Sequence, residues 1–189
     1  MKPSIILASQ SPRRQQLLQW AEIDFDVVVS NTDESFPAGL SFHDAAIYIA
    51  MQKALAVKKN AAPGKIILAA DTVVICNQTL LGKPSGRDEA IQFLKNISGS
   101  THQVITGVVL LKDEIEISFT DTTEVNFHPL TNEQIEFYVD KYKPFDKAGA
   151  YAIQEWIGVT GIKSIQGDFY NVMGLPVSRV VQALEKINQ

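Results

Sequence analysis

This chain has little of what marks secreted, zinc-clasping or membrane-spanning proteins. It carries one cysteine, Cys76, in 189 residues, so no disulfide can close within it and a stapled extracellular scaffold is excluded. Three histidines, His43, His102 and His128, show no C-x-x-C, H-x-x-x-H or H-E-x-x-H spacing, which removes the usual zinc signatures. No stretch approaches the ~18 consecutive apolar residues of a membrane span. The apolar segment after Met1-Lys2-Pro3-Ser4 is shorter than the roughly 7 to 15 residues of a signal-peptide core. These absences predict a reducing, cytoplasmic setting without membrane contact, where the sequons at Asn77 and Asn96 are incidental.

Excess positive charge is missing too. Lys and Arg number 17 against 21 Asp and Glu, a net charge of −4, which argues against a protein whose main work is coating nucleic acid. A local basic pocket is still allowed. Neither G-x-x-x-x-G-K-[ST] nor G-x-G-x-x-G occurs, so P-loop and Rossmann chemistry have no support. There is no internal repeat, low-complexity tract or long Pro/Gly/Ser linker, and residues 1–189 are expected to form a single domain. What is present, 46% hydrophobic and 20% charged residues, is the composition of a soluble globular protein.

Short β-type runs alternate with longer helical patterns. Ile5 to Ala8 predicts a strand, and Ser11-Pro12 opens a helix with serine as N-cap and proline in the first turn. Phe25 to Val29 is a second strand; Ser41 with Asp44 resembles a capping box for a helix to about Lys59. Ile66 to Ile75 is too continuously apolar for a half-exposed strand and is broken only by Asp71 and Thr72. Ser85 and Asp88 predict a helix to Ile97. Gln103 to Leu111 and Glu114 to Asn126 read as a β-hairpin, and Thr131 with Gln134 starts a helix to Tyr142. Lys163 to Gln166 is a short strand and Pro176 opens the terminal helix. The expected fold is α/β, a long, strongly twisted mixed β-sheet flanked by helices.

Four segments concentrate residues able to do chemistry. Ser9-Gln10-Ser11-Pro12-Arg13-Arg14 joins a strand end to a helix start, where free N–H groups and the helix dipole favour an anion. Two arginines there are mildly unfavourable unless a polyanion docks, since guanidinium forks match phosphate oxygens; the alternative is a pair of solvated surface arginines. Asp71 is the leading catalytic candidate, because a carboxylate in an apolar run is costly unless it is paired, binds metal or moves protons. Its alternative is an aspartate capping a turn at a strand end. Glu34, in Asn31-Thr32-Asp33-Glu34-Ser35, could add a second hard oxygen ligand of the kind suited to Mg²⁺ or Mn²⁺ with phosphate, or be part of a wet acidic loop.

Lys53 and Lys83 are either ordinary snorkelling and turn lysines or cations for phosphate. Finally, small residues beside Tyr151 in Asp146-Lys147-Ala148-Gly149-Ala150-Tyr151, followed by Gln154, could form a base pocket with Gln154 reading a base edge. A packed loop with a capping glutamine is the alternative. His43, His102 and His128 belong to no constellation and read as surface or structural.

In combination these strings resemble the Maf family of nucleoside triphosphate pyrophosphatases. The likeness runs nearly end to end: Leu7-Ala8-Ser9, Ser11-Pro12-Arg13-Arg14, Lys53, Ala70-Asp71-Thr72-Val73, Gly82-Lys83-Pro84, Thr106-Gly107-Val108, the Asp146 to Tyr151 string and Gly174-Leu175-Pro176. The resemblance implies hydrolysis of a nucleoside triphosphate between the α and β phosphates, with a divalent cation. It places Asp71 on the family's general base and Ser9, Arg13, Arg14, Lys53 and Lys83 on phosphate-binding positions. Glu34 and Asp71 fall on metal-associated positions, and Arg13, Thr72 and Gln154 on positions linked to substrate choice. Lys147 to Gln154 is similar to the branch acting on dTTP and UTP rather than on 7-methyl-GTP. Gln10 stands where a glycine is common, and Glu155 follows Gln154 where many relatives have glycine. The family's frequent dimers imply a homodimer. Its link to septum formation leaves a second reading, a nucleotide-binding regulator without turnover, which the presence of Asp71 beside phosphates disfavours.

Overall fold

The computed structural model describes residues 5–29 and 32–188; Asn31 of the acidic loop and the four N-terminal residues lie outside them. The first half runs β1 (Ile5–Leu7), α1 (Pro12–Trp20), β2 (Phe25–Val27), α2 (Phe42–Lys58), β3 (Ile66–Cys76), β4 (Thr79–Leu81) and α3 (Arg87–Ile97). There follow β5 (Thr101–Lys112), β6 (Ile115–Phe127), α4 (Asn132–Tyr142), α5 (Trp156–Gly161), β7 (Ile162–Gln166), α6 (Phe169–Met173) and α7 (Val177–Ile187). The seven strands form one mixed sheet in the order β2-β1-β3-β5-β6-β7, with β4 paired to β3 off that path. β1 lies parallel to β2 and to β3, whereas the β3–β4 and β6–β7 pairs are antiparallel. The α/β class and mixed sheet are as expected from sequence. No helix among the described residues is long and apolar enough to cross a membrane.

The chain divides into two compact units. The first comprises the chain up to Asp71, Thr106–Asp121 and the chain from Gly174; the second comprises Thr72–Ile105 and Thr122–Met173. In the first unit one helix face determines the arrangement. Residues 46, 50, 54 and 57 of α2 recur at helical spacing and are small or β-branched, so the helix seats closely on the sheet. Ala50, Ala54 and Val57 pack against Ile6 and Ala8, Ile67 and Ala69 of β3, and Val109 and Leu111 of β5. Those strand residues alternate, as one face of a sheet requires.

In the second unit Asn77 and Gln78 take positive φ, 50° and 63°, and link β3 to β4 with Cys76 opposite Thr79. Two left-handed residues are what a twisted two-residue hairpin demands, and asparagine tolerates the first. α4 starts at the expected capping box, Thr131 and Gln134 each bonding the other's backbone. The start of α3 differs from expectation: Gly86 occupies the N-cap, and Ser85 lies outside it, giving its N–H and hydroxyl to Glu89. The serine hydroxyl is thereby used as a donor to Glu89, and no side chain caps the helix. α5 and α6, of six and five residues, and the three-residue β4 were not anticipated, because so few residues cannot display a period.

Phe127, Tyr138, Leu94 and Ile97 fill the second unit. His102 is buried beside Phe127, ring centroids 5.6 Å apart, its pKa pushed down from 6.5 to about 4 by loss of solvation. As pH falls, the unfolded chain takes up this proton first, so the folded state loses stability between about 6.5 and 4. We expect the loss to reach roughly 2 to 3 kcal/mol and to be smaller in His102→Gln, compared by urea titrations at neutral pH and near the lower limit. Equal acid sensitivity in both proteins would assign the effect to other groups.

Candidate active site

The first unit assembles two groups of polar side chains. β1 ends as the Ala8 N–H bonds the Leu68 carbonyl at 2.8 Å, and the chain turns into α1. Ser11 is at the N-cap position, yet its side chain caps nothing; its own N–H donates to the Ser9 hydroxyl at 3.2 Å. The Ser9 hydroxyl also accepts from Arg14 Nη1 at 3.2 Å, and Arg14 Nε donates to the Gly174 carbonyl at 2.8 Å. Arg14 is therefore buried and anchored, while Arg13 is half-buried, so the alternative of two solvated arginines fails for Arg14. Burial depresses the Arg14 pKa, with Asp71 and Glu34 opposing and Arg13 adding to the effect. An arginine so placed stays charged and is electrostatically coupled to both carboxylates.

The second group follows from periodicity. Asp71 continues the Ile67 and Ala69 face of β3, the face that packs on α2, and Lys53 lies one turn from Ala50 on the buried side of that helix. Lys53 Nζ donates to Asp71 Oδ1 at 2.7 Å and to Glu34 Oε1 at 2.8 Å. The Lys53 and Asp71 side chains are 11% and 12% exposed and Glu34 is 44% exposed, so the ammonium draws one buried and one solvent-facing carboxylate together. Lys53 does not snorkel, and Asp71 caps no turn, since β3 continues to Cys76. Asp33 and Glu34, adjacent in sequence, have different tasks: Asp33 accepts from the Ser35 N–H at 3.0 Å and hydroxyl at 2.7 Å, which lowers its pKa.

The second unit holds Thr72, Lys83 and Gln154. Thr72 is half-buried and, following Asp71, points to the opposite face of β3. Lys83 is exposed in the irregular chain between β4 and α3. Gly82 accepts from the Gly149 N–H at 3.1 Å, which joins the Gly82-Lys83-Pro84 string to the Asp146 to Tyr151 string. Gly149 needs to be glycine twice over, having φ of +71° and leaving only 2.9 Å between a built Cβ and Val74 Cγ1. Beyond it Tyr151, Ala152 and Ile153 are buried and Gln154 is exposed.

Sequence reasoning named His102 as surface or structural and noted Glu155, but paired neither with this segment. His102 Nε2 lies 2.7 Å from the Tyr151 hydroxyl, and Glu155 accepts from the Tyr138 hydroxyl. His43 and His128 are exposed, as a surface reading supposes. The available signal for His102 was alternation, which aligns it with Val104, Thr106 and Val108 on one buried face of β5.

A carboxylate paired with a buried lysine, beside a buried arginine at a strand-to-helix junction, can hold a polyanion and accept a proton from water. Fold and site thus define an α/β protein equipped for acid–base work on an anionic substrate. The model of the family described as Maf-like protein matches residues 4–187, and the chain belongs to this family. It is 50% identical over 183 residues to a dTTP/UTP pyrophosphatase of Cytophaga hutchinsonii, covering 97% of this chain and 84% of that protein. A dTTP/UTP pyrophosphatase of Bacteroides thetaiotaomicron is 46% identical, with 98% and 97% covered. One of Bacillus cereus is also 46% identical, with 97% and 95% covered. Among solved structures, a HAM1 protein from Coxiella burnetii superposes with a TM-score of 0.51 at 16% identity, over 97% of this chain and 99% of that one. The Staphylococcus aureus Ham1 protein gives 0.50 at 16%, over 98% and 100%. These two likenesses concern the fold alone.

Proposed function

We propose that this protein hydrolyses dTTP and UTP to the nucleoside monophosphate and pyrophosphate, clearing these or modified pyrimidine nucleotides from cytoplasmic pools. The observation that carries the reading is the Lys53 ammonium bonded at once to Asp71 and Glu34. It supplies, in one place, a base and the positive charge that a triphosphate needs. The relatives named dTTP/UTP pyrophosphatase, 42–50% identical over nearly the whole chain, support the substrate, and one family model over 4–187 supports treating the chain as one catalytic domain.

In the proposed reaction a water oxygen attacks the α phosphorus, the bond from that phosphorus to the bridging oxygen breaks, and pyrophosphate leaves. Asp71 orients the water and takes its proton. Ser9, Arg13, Arg14 and Lys53, with Lys83 of the second unit, bind phosphate oxygens and offset the charge that otherwise repels the nucleophile. Arg13, Thr72 and Gln154 select the nucleotide. Glu34 and Asp71 would hold Mg²⁺ or Mn²⁺. They suit such an ion because hard cations of this size commonly take one or two carboxylates and complete their shell with water and phosphate, and both carboxylates already converge on a single positive charge. When bound, the cation neutralises charge on the phosphates and the leaving group.

The test is a panel of common and modified nucleoside triphosphates with Mg²⁺ or Mn²⁺, following pyrophosphate and orthophosphate release separately. Pyrophosphate from dTTP and UTP above all others is expected. Orthophosphate instead would move the cut to the γ position, and tight binding without release would favour the regulator. In the same assay Gln154→Ala should flatten the preference among bases by ~10-fold or more while slowing the favoured reaction less than Asp71→Asn does. An unchanged preference would remove Gln154 from base reading. A homodimer is the accompanying expectation for oligomeric state, read by sedimentation.

A further inference from the structure

Resting on the assignment of Gln154 to base reading, we infer that His102, Tyr138, Tyr151 and Glu155 form a two-sided brace that positions Gln154, making them determinants of base discrimination without touching the nucleotide. On the N-terminal side the Tyr151 hydroxyl is 2.7 Å from His102 Nε2. The Tyr151 ring meets His102 and Phe127 edge-on, each at a centroid distance of 5.3 Å. Burial raises the Tyr151 pKa above its ordinary value, so the hydroxyl stays protonated at neutral pH. The Tyr138 hydroxyl spans both sides, accepting from the Ala152 N–H at 3.2 Å before Gln154 and donating to Glu155 Oε2 after it. Glu155 Oε1 is 3.7 Å from the buried Lys147 ammonium, and the Glu155 N–H returns to the Ala152 carbonyl at 3.1 Å.

Both flanks of Gln154 are thus tied down while its own side chain is exposed. This matters because a glutamine amide offers a donor and an acceptor and, if free to swing, can satisfy almost any base edge. Discrimination requires that the wrong pattern be left unpaired, which a held amide enforces and a mobile one does not.

Tyr151→Phe keeps the ring contacts and deletes the hydroxyl. We expect it to lower kcat/KM for dTTP and UTP so that their advantage over dCTP and purine triphosphates narrows by ~10-fold, while poor substrates keep their rates within about twofold. In a Gln154→Ala background the same change should narrow nothing further. Glu155→Ala should act like Tyr151→Phe, and Glu155→Gln, whose carbonyl still accepts from Tyr138, should restore the preference. A purely structural role would lower activity on all nucleotides alike and leave the ratio unmoved; that result overturns the brace. So does Glu155→Gln behaving as Glu155→Ala. A wild-type enzyme with no base preference overturns instead the reading on which the brace rests.

Discussion

Asp71→Asn should abolish turnover while triphosphate binding stays within about tenfold of wild type. The substitution is nearly isosteric, and the asparagine carbonyl can still accept from Lys53 Nζ, which stands 2.7 Å from Asp71 Oδ1. The geometry of the site is therefore retained. What is lost is a basic oxygen to take the proton of the attacking water, and general bases of this kind contribute roughly 10²- to 10⁴-fold. Removing a negative charge beside phosphates lowers repulsion, which offsets the loss of one of the two carboxylates that would hold the cation, so binding changes little. Single-turnover pyrophosphate release gives the rate, and calorimetry with a non-hydrolysable triphosphate gives the affinity. A variant that turned over at the wild-type rate would sink the assignment of Asp71 as base. One that lost rate and binding in equal measure would recast the residue as part of the binding site.

Gly107→Ala should have a large structural effect for the addition of a single carbon. A Cβ built on Gly107 falls 2.4 Å from the Ala46 carbonyl carbon and 2.5 Å from the Ile47 nitrogen. Both are backbone atoms of α2, so no side chain can rotate aside, and the helix has to lift from β5. Overpacking of this kind costs ~2 to 4 kcal/mol, a large share of the roughly 5 to 15 kcal/mol that holds a typical domain folded. The thermal midpoint should drop by ~5 to 15 °C for a chain of this size. Activity should fall further than the folded fraction does, because the displaced helix carries Lys53. Differential scanning calorimetry together with the pyrophosphate assay separates the two effects. An unchanged midpoint would mean that α2 does not seat on Gly107 this closely.

Gly107 shows how the primary structure encodes more than it discloses. In Thr106-Gly107-Val108 a glycine interrupts a buried β-rich run, and the string supports a family likeness, but the reason only a hydrogen fits there is the α2 backbone at Ala46 and Ile47, which the string does not disclose. Asp71 was legible because burial of a lone carboxylate in Ile66 to Ile75 is costly wherever the strand sits. Lys53 was less so. Helical spacing puts it beside Ala50 and Ala54, yet a lysine on that face could have snorkelled, and only the position of Asp71 keeps it buried.

Arg14 marks the opposite limit. Two arginines at a helix start suggested either solvent or phosphate, and nothing local pointed to the Gly174 carbonyl, 160 positions away in the chain. His102 and Tyr151 are 49 apart and likewise unpaired in any pattern. Ser85 failed as a cap for a smaller reason: its hydroxyl donates to the Glu89 carboxylate, and the helix starts one residue later, with Gly86 at the N-cap.

By itself the primary structure determined the kinds of element, most of their starts and stops, the α/β class, and the identity of the residues with chemistry to offer. Periods of 2 and 3.6, caps and the cost of buried charge are local rules, and they act before any tertiary contact forms. The tertiary structure alone decided partnership: that Lys53 holds Glu34 and Asp71 together, that Arg14 is spent partly on Gly174, and that Tyr151 leans on His102. Charges and hydroxyls are satisfied by whatever the packed chain brings within about 3 Å, and that is a property of the whole topology rather than of any segment.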